Sequence, residues 1–271
     1  MTVQERTVAA MAAIKYAGID VSRWNAALDY KKLAKATIDG YRIRFAMLRF
    51  SYGCGKDTLF DKHYKNFKSV GINVGVYHWM LAQNVAQAKQ EAAWLVKQLK
   101  GYELDYPVAL DFEDTDLLEL NLTKDEYTAI VDAFMKVLKD NGYFVCLYAN
   151  PSCLEHRLNP SVRENYDIWL AHWLDEPRKY GQKIWQYGAL GTAEEVKKGY
   201  ATNEGYVDGA NGPIDVNWCY TNYTAKIKNK GLNNYAKQYV VTGTKTVPAS
   251  QLAQTEGPLR ALGFTVTRKV K

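Results

Sequence analysis

The sequence predicts an α/β fold, a distorted (β/α) barrel followed by a small C-terminal β-α-β appendage. The chain has 271 residues, 47% of them hydrophobic, which is enough to bury the core of one barrel-sized domain and a small extra unit. Short β-rich runs recur between residues 18 and 218, and helical patterns separate the first several of them. This alternation is typical of a barrel of parallel strands.

Eight strands are predicted from these runs. They cover residues 18–22, 45–50, 75–79, 108–113, 144–149, 167–173, 183–187 and 214–218. Two of the intervening helices have clear ends. Residues 84–99 place their apolar side chains on one helical face and stop before Gly101, while Thr123 and Glu126 form a capping box for a helix that stops at Asn141.

The second half of the barrel is predicted to be irregular. About ten residues, too few for a normal crossover helix, separate Trp173 from Lys183. The predicted organisation is a leader at 1–17, the barrel at 18–222, a polar linker at 223–236 and a basic unit at 237–271. In the last unit, strands at 239–242 and 264–268 flank a helix at 250–262; so small a unit should dock on the barrel or on another copy.

Cysteine and histidine spacing indicates neither a zinc site nor a dense disulfide framework, so we expect free thiols, no metal and no cofactor. The longest apolar stretch, 8–14, is too short to span a bilayer. It is also a poor secretory signal, because Glu5 and Lys15 flank it closely. We therefore expect the protein to accumulate in the cytoplasm.

The net charge of +6 is unevenly distributed along the chain. From Lys226 onwards there are nine basic residues and one acidic residue, which gives +8 and leaves 6 − 8 = −2 for the first 225 residues. A cationic tail on a mildly acidic body indicates a polyanionic partner, such as nucleic acid, an acidic lipid surface or an anionic cell-wall polymer.

The strand at 108–113 carries the most chemistry. Side chains alternate along a strand, so Asp111 and Glu113 share one face and Leu110 and Phe112 the other. Two carboxylates about 7 Å apart in Cα terms favour protonation of one of them near neutral pH, which is the state that a general acid needs. Glycosidic cleavage uses such a pair. A salt-bridged or solvated strand end explains this motif equally well when it is taken alone.

Polar and aromatic residues recur at the ends of other predicted strands. They are Asp20, Tyr77, Trp79, Tyr148, Asn150, His172, Trp173, residues 185–187 and Asp215. The carboxyl ends of the strands build the active site in barrels of this type. The expected result is an acidic cleft with aromatic walls, suited to an uncharged or amide-bearing polysaccharide.

Six motifs in order carry a resemblance to a known family. They are Gly-Ile-Asp-Val-Ser (18–22), Gly-Val-Tyr-His-Trp (75–79), Ala-Leu-Asp-Phe-Glu (109–113), Leu-Tyr-Ala-Asn (147–150), Ile-Trp-Gln-Tyr (184–187) and Ile-Asp-Val-Asn (214–217). Across roughly residues 17–222 the sequence resembles the glycoside hydrolase family 25 lysozymes, which include many bacteriophage endolysins.

The resemblance implies a distorted β/α barrel that hydrolyses the bond between N-acetylmuramic acid and N-acetylglucosamine in bacterial peptidoglycan. It implies that Glu113 is the general acid and that Asp111 steadies the charged intermediate or orients the acetamido group of the substrate. Asp20 and Asp215 match two further active-site acids that bind sugar or tune Glu113. Substrate-assisted retention, with the acetamido oxygen as nucleophile, is the preferred hypothesis.

Four aromatic residues are expected to bind or support the substrate: Tyr77, Tyr148, Trp185 and Tyr187. Tyr77 is interpreted as a hydrogen-bond donor to the sugar, with a structural tyrosine as the alternative. Since neighbours alternate along a strand, residues 185–187 cannot all face the cleft.

Two other side chains, Arg49 and His172, are also assigned roles from the sequence, and the role of Arg49 has an alternative. Arg49 either binds a muramyl carboxylate or peptide stem or forms a salt bridge within the barrel. His172 is interpreted as structural.

The expected partner is bacterial peptidoglycan, reached from the host cytoplasm at lysis. The C-terminal unit is expected to bind anionic wall polymers, with a solvated or oligomerising appendage as the alternative. Nucleic acid is disfavoured because the unit lacks a recognisable reading motif, and no membrane partner is expected. Two other functions stay open: a carbohydrate-binding barrel without catalysis, and a chitinase-like glycosidase, which also ends its fourth strand in an Asp-x-Glu pair.

Overall fold

The structure is a computed structural model that describes residues 15–173, 178–237, 251–261 and 266. The chain divides into two compact units, Met1–Gln238 and Tyr239–Lys271. Eight long strands form the barrel of the first unit, and three two-residue strands, Thr37–Ile38, Gly55–Lys56 and Asn203–Glu204, pair at its edges. The long strands are β1 (Tyr16–Val21), β2 (Tyr41–Tyr52), β3 (Asn73–Trp79), β4 (Val108–Asp111), β5 (Val145–Ala149), β6 (Asp167–Ala171), β7 (Ile184–Gly191) and β8 (Ile214–Cys219).

The eight strands close into a barrel, which confirms the predicted fold class. β1 to β7 pair in parallel around the barrel, from β1 with β2 to β6 with β7. β8 closes the ring and runs antiparallel to both of its neighbours, β7 and β1. The sequence did not indicate this reversal. It brings the first residues of β8 to the same end of the barrel as the last residues of the other strands.

Eight α-helices lie in the described part of the first unit. They are α1 (Tyr30–Leu33), α2 (Phe60–Ser69), α3 (Val85–Gln98), α4 (Thr115–Leu118), α5 (Lys124–Asp140), α6 (Ser161–Asn165), α7 (Ala193–Lys197) and α8 (Tyr223–Lys230). The end signals of the two long helices are confirmed. Asn84 caps α3 by accepting a hydrogen bond from the Gln87 backbone N–H at 3.0 Å, and Thr123 and Glu126 form the capping box of α5.

Alternation along the strands produces two apolar layers. Inside the barrel lie Phe45, Met47, Ala109, Cys146, Trp169, Ile184 and Cys219. The opposite faces carry Leu48, Val76, Leu110, Leu147, Leu170 and Val216, which belong to the larger cluster shared with the helices. The inner layer therefore fills the barrel and leaves its carboxyl end for polar side chains.

The predicted irregularity of the second half is confirmed. Between β6 and β7, the described part of the connection holds one turn of 3-10 helix, Arg178–Tyr180. Between β5 and β6 the chain forms a π-helical turn, Cys153–Arg157, and then α6. Between β7 and β8 it forms α7 and a two-residue strand, Asn203–Glu204. This connection lacks a long crossover helix, consistent with the reversed direction of β8.

The segment predicted as a linker, 223–236, is instead part of the barrel unit. Its first residues form α8, whose Tyr223 and Ile227 are fully buried in the inner layer. Asn233 is also buried, and its side chain bonds to the backbone of Leu104, Tyr106 and Phe144. Polar composition misled the prediction, since two apolar side chains on one face of a short helix are enough to bury it. The predicted leader is also shorter, because β1 begins at Tyr16.

The second unit contains one described helix, α9 (Leu252–Ala261), inside the range predicted for a helix. Arg260 reaches back along it to Glu256 at 2.7 Å. The strand predicted at 239–242 lies outside the described residues, as does that at 264–268 apart from Val266. Over the described residues, no helix has the length and apolarity needed to cross a membrane. The four cysteines are unpaired, with Cys54 exposed and the others buried.

Candidate active site

Four carboxylates meet at the carboxyl end of the barrel. Asp20 lies near the end of β1, Asp111 ends β4, and Glu113 follows two residues later. Asp215 lies at the start of β8 and is the register partner of Asp20, because β8 runs antiparallel to β1. Asp20 and Asp111 are only 5% and 3% exposed. The structure thus brings together all four acids that the sequence singled out.

The strand that carries the acid pair ends earlier than predicted, at Asp111 rather than at Glu113. The chain turns because Asp114 caps α4, accepting a hydrogen bond from the Leu117 backbone N–H at 3.3 Å. The second oxygen of Asp114 accepts from the indole of Trp79 at 2.9 Å. This turn places Glu113 beside Tyr148, within the electrostatic reach of Asp20.

Burial raises the pKa of all four carboxyl groups. It raises the pKa of Asp20 to about 6 and, together with the charge of Asp20, that of Glu113 to about 7. Burial first, and repulsion by neighbouring carboxylates second, hold the pKa values of Asp111 and Asp215 well above the usual range. Carboxylates this close cannot all ionise, so the cluster retains protons near neutral pH.

Of the four carboxylates, Asp20 receives the most hydrogen bonds from protein side chains. Its Oδ2 accepts hydrogen bonds from Gln186 Nε2 at 3.0 Å and from Asn217 Nδ2 at 2.7 Å. It also shares a hydrogen bond with Asp215, which lowers the pKa of Asp20 and raises that of Asp215. A bond with this asymmetry is donated by protonated Asp215 to ionised Asp20.

Asp111 has the opposite environment. Its Oδ1 is buried and has no hydrogen-bond partner among the described residues. Buried acceptors are nearly always paired, so this unpaired oxygen is an exception that calls for an explanation. Arg49 opposes the rise in the pKa of Asp111 through its charge. Arg49 itself forms a buried salt bridge with Asp57, from Nε to Oδ2 at 2.8 Å.

Aromatic side chains form the floor and one edge of the site. Tyr77 and Tyr148 pack edge-on against Trp169, with ring centroids 5.9 and 4.7 Å apart. Tyr148 donates its phenol proton to Gln186 Oε1 at 3.0 Å, and the indole of Trp173 donates to the same oxygen at 3.0 Å. Trp173 is 48% exposed, so part of its ring faces solvent at the mouth.

Residues 19–196, more than half of the chain, match the family model described as glycosyl hydrolases family 25. The chain belongs to this family. The resemblance inferred from the six sequence motifs is therefore confirmed.

Sequence relatives of this family 25 chain are distant. The uncharacterized protein YegX of Escherichia coli K12 is 26% identical over 205 residues, which cover 74% of this chain and 68% of YegX. The autolytic lysozyme of Clostridium acetobutylicum is 24% identical over 156 residues, which cover 58% of this chain and 44% of the lysozyme.

Solved structures share the family 25 fold. The modular autolysin LytC of Streptococcus pneumoniae, solved with a synthetic peptidoglycan ligand, is 25% identical with a TM-score of 0.60, covering 75% of this chain and 46% of LytC. The CTP1L endolysin is 24% identical with a TM-score of 0.62, covering 79% and 70%. A lysozyme of Streptomyces coelicolor is 21% identical with a TM-score of 0.59, covering 83% and 100%. This chain thus spans less than half the length of LytC.

Trp185 and Tyr187, expected to support the substrate, are not brought to the carboxylates of the family 25 barrel. They lie on the outer side of β7, where Tyr187 stacks on Trp218 with centroids 5.8 Å apart. Trp185 donates its indole N–H to the His172 carbonyl at 2.7 Å. Alternation turns the residue between them, Gln186, inward.

Gln186 and Asn217 were missed as site residues, although the sequence held a signal for each. Asn217 lies two residues after Asp215 and therefore shares its strand face. Gln186 is the polar residue of an aromatic-flanked strand in which only alternate residues can face the cleft. Amide side chains attract little notice in a search for titratable groups, yet these two hold Asp20 in place.

Proposed function

We propose that this chain is a lysozyme, an N-acetylmuramidase that hydrolyses the β-1,4 bond between N-acetylmuramic acid and N-acetylglucosamine in peptidoglycan. The observation that carries the proposal is the cluster of buried carboxylates at the barrel mouth, where Glu113 has a pKa of about 7. A carboxyl group that is still protonated near neutral pH is the general acid that glycoside hydrolysis requires.

Glu113 donates its proton to the glycosidic oxygen while the bond from that oxygen to the anomeric carbon breaks. The leaving sugar departs as an alcohol, and Glu113 is left as a carboxylate. It then acts as a base, taking a proton from the water that attacks the anomeric carbon and so recovering its starting state. Asp20 supports this cycle because its negative charge raises the pKa of Glu113.

Asp111 orients the acetamido group of the muramic acid. Its unpaired Oδ1 accepts the acetamido N–H, and the acetamido carbonyl oxygen then attacks the anomeric carbon from the face opposite the leaving group. A hydrogen bond to the charged form lowers the pKa of Asp111, so the substrate itself favours the carboxylate that stabilises the positive cyclic intermediate. Water then opens the intermediate with overall retention. Inverted product at early reaction times, seen by NMR of the new anomeric proton, would rule this route out.

The remaining members of the site position the sugar. Tyr77 and Tyr148 lie on the barrel floor beside the acids, and Asp215 holds Asp20 through their shared hydrogen bond. The half-exposed ring of Trp173 offers a stacking face for a pyranose at the edge of the mouth.

The direct test is clearing of purified Gram-positive cell walls, followed by identification of the new reducing ends. Muramic acid ends support the proposal, whereas glucosamine ends contradict the assigned bond. Wall binding without clearing indicates a binding barrel, and cleavage of chitin oligomers without cleavage of walls indicates a chitinase-like enzyme. Glu113→Gln should abolish clearing, and Glu126→Gln, at an exposed glutamate of α5, is the matched control that should clear walls like the wild type.

We also propose that the protein acts as an endolysin, held in the host cytoplasm until lysis and then acting on the wall. The endolysin CTP1L is among the structures that share its fold. The charge of +8 carried by residues 226–271 supports binding of that end of the chain to anionic wall polymers. Walls stripped of their anionic polymers should then bind less of the full-length chain, and equal binding to both kinds of wall contradicts this role.

A further inference from the structure

Gln186 bonds to three side chains of the site, Asp20, Tyr148 and Trp173, through one amide group. Its Nε2 donates to Asp20 Oδ2 at 3.0 Å, and its Oε1 accepts from Tyr148 at 3.0 Å. The indole of Trp173 donates to the same Oε1 at 3.0 Å. An indole N–H can only donate, so Trp173 fixes which end of the amide is the oxygen and turns the NH₂ group towards Asp20.

Asn217 repeats this arrangement on the next strand of the barrel. Its Nδ2 donates to the same oxygen of Asp20 at 2.7 Å, while its Oδ1 accepts from the indole of Trp169 at 2.8 Å. Two oriented amides therefore point donors at one carboxylate oxygen. Donors of this kind favour the charged form of a carboxyl group.

The phenol of Tyr148 has one proton and two neighbouring acceptors, Gln186 Oε1 and Glu113. When the proton goes to Gln186, the Tyr148 oxygen faces Glu113 as an acceptor, and only protonated Glu113 can donate to it. When the proton goes to Glu113, the bond favours the carboxylate and lowers the pKa of Glu113. Gln186 thus competes with Glu113 for the phenol proton.

We propose that Gln186 is a positioning residue that keeps the proton of the acid cluster on Glu113 and the negative charge on Asp20. The hydrogen bonds then run in one direction, from Glu113 to Tyr148, from Tyr148 to Gln186 and from Gln186 to Asp20. The chain of donors ends at the one carboxylate that two amides stabilise. Gln186 acts through its neighbours and need not touch the reacting atoms.

Other titratable groups surround both ends of this chain. Those that interact with Glu113 are Asp20, Asp111, Tyr148, Cys153 and Asp215. Those that interact with Asp20 are Tyr77, Asp111, Glu113, Tyr148 and Asp215. All of them stay in place in the variants below except Tyr148, so a change in the pKa of Glu113 reports on the altered hydrogen bonds.

The test is a pH titration of the Glu113 carboxyl carbon by NMR in protein labelled with ¹³C-glutamate, with the resonance assigned by its loss in Glu113→Gln. Gln186→Met keeps the length of the side chain and removes its three hydrogen bonds, with Asp20, Tyr148 and Trp173. It frees the Tyr148 proton for Glu113 and withdraws a donor from Asp20, so the pKa of Glu113 should fall by about one unit. An unchanged or raised pKa would overturn the proposal.

Tyr148→Phe gives a second test in a variant of nearly unchanged shape. If Glu113 donates to Tyr148, the substitution removes an acceptor for its proton, and the pKa of Glu113 falls. If Tyr148 donates to Glu113, the substitution removes a donor to the carboxylate, and the pKa rises. The sign of the shift therefore decides between the two directions of the bond, and a rise would refute the proposal.

Trp185→Phe is the matched control, because it removes one indole N–H from the outer side of the same strand. It should leave the pKa of Glu113 where it is in the wild type. A shift as large as that of Gln186→Met would mean that movement of the strand end, rather than the amide, causes the effect. The proposal rests on the role proposed for Glu113 as the general acid. The titration does not measure activity, so its result is independent of whether the protein clears walls.

Discussion

Replacing Glu113 by glutamine should stabilise the protein at alkaline pH. The pKa of Glu113 rises from 4.5 to about 7 on folding because burial disfavours the charged form. At 1.36 kcal/mol per pKa unit, this difference corresponds to about 3 kcal/mol. That is a large fraction of the stability of a typical domain, about 5–15 kcal/mol.

The pH window follows from the sign of the shift. Below about pH 4.5, Glu113 is protonated in both the folded and the unfolded protein, so it adds no difference. Between about 4.5 and 7 the folded protein binds more protons than the unfolded chain, and stability falls as the pH rises. Above about pH 7 the folded protein bears the full free-energy cost of ionising the buried Glu113 carboxyl group. Glu113→Gln removes it, so the variant should be more stable than the wild type by about 3 kcal/mol at pH 8 and nearly equal at pH 4.

Equilibrium unfolding in urea measures the difference at both pH values. All seven tryptophans lie between residues 24 and 218, so their fluorescence reports on the barrel unit. Glu126→Gln provides a control of opposite sign, since hydrogen bonds from Thr123 lower the pKa of Glu126. An equal effect of Glu113→Gln at pH 4 and pH 8 would show that the carboxyl group is not held protonated by burial.

Three further predictions follow from single residues. Asn233→Ala removes the side-chain partner of three backbone groups, two of them in buried hydrogen bonds that are worth about 1 kcal/mol or more each. Urea unfolding should therefore show a loss of at least about 2 kcal/mol, against a smaller loss for exposed Asn234→Ala. Wall clearing should decline as the pH rises through about 7, because Glu113 must be protonated to act, and a rate that increases beyond pH 8 contradicts this. A thiol reagent should label Cys54 in the native protein and the three buried cysteines only after unfolding, and native labelling of a buried one would contradict their placement.

The sequence predicted the parts of the fold that depend on local pattern. Each of the eight strands is a β-rich run bounded by turn residues, and the capping box of Thr123 and Glu126 marks the start of α5 without reference to the rest of the molecule. The direction of β8 depends instead on how the chain returns across the mouth of the barrel. No local pattern encodes this return, so the antiparallel closure could not be predicted.

The same distinction applies to the site. The four acids could be found because charged residues at strand ends are unusual and carry their own chemistry. The roles of Gln186 and Asn217 depend on which of two strand faces turns inward and on partners far along the chain. Asn217 bonds to Asp20 across a separation of 197 residues. Alternation predicted that residues 185–187 could not all face the cleft, but it did not identify which residue would.

The unit that forms the acid cluster extends well beyond the family match, which ends at residue 196. Asp215 and Asn217, which hold Asp20, lie on β8 after that boundary. The helix that follows β8, α8, buries Tyr223 and Ile227 in the inner layer. The Asn233 side chain then bonds to the backbone of Tyr106 and Phe144, which lie just before β4 and β5, at the end of these strands away from the acid cluster. A protein shortened to the matched residues would lose two of the groups that fix Asp20 and the strand that carries them, so the acid cluster could not form.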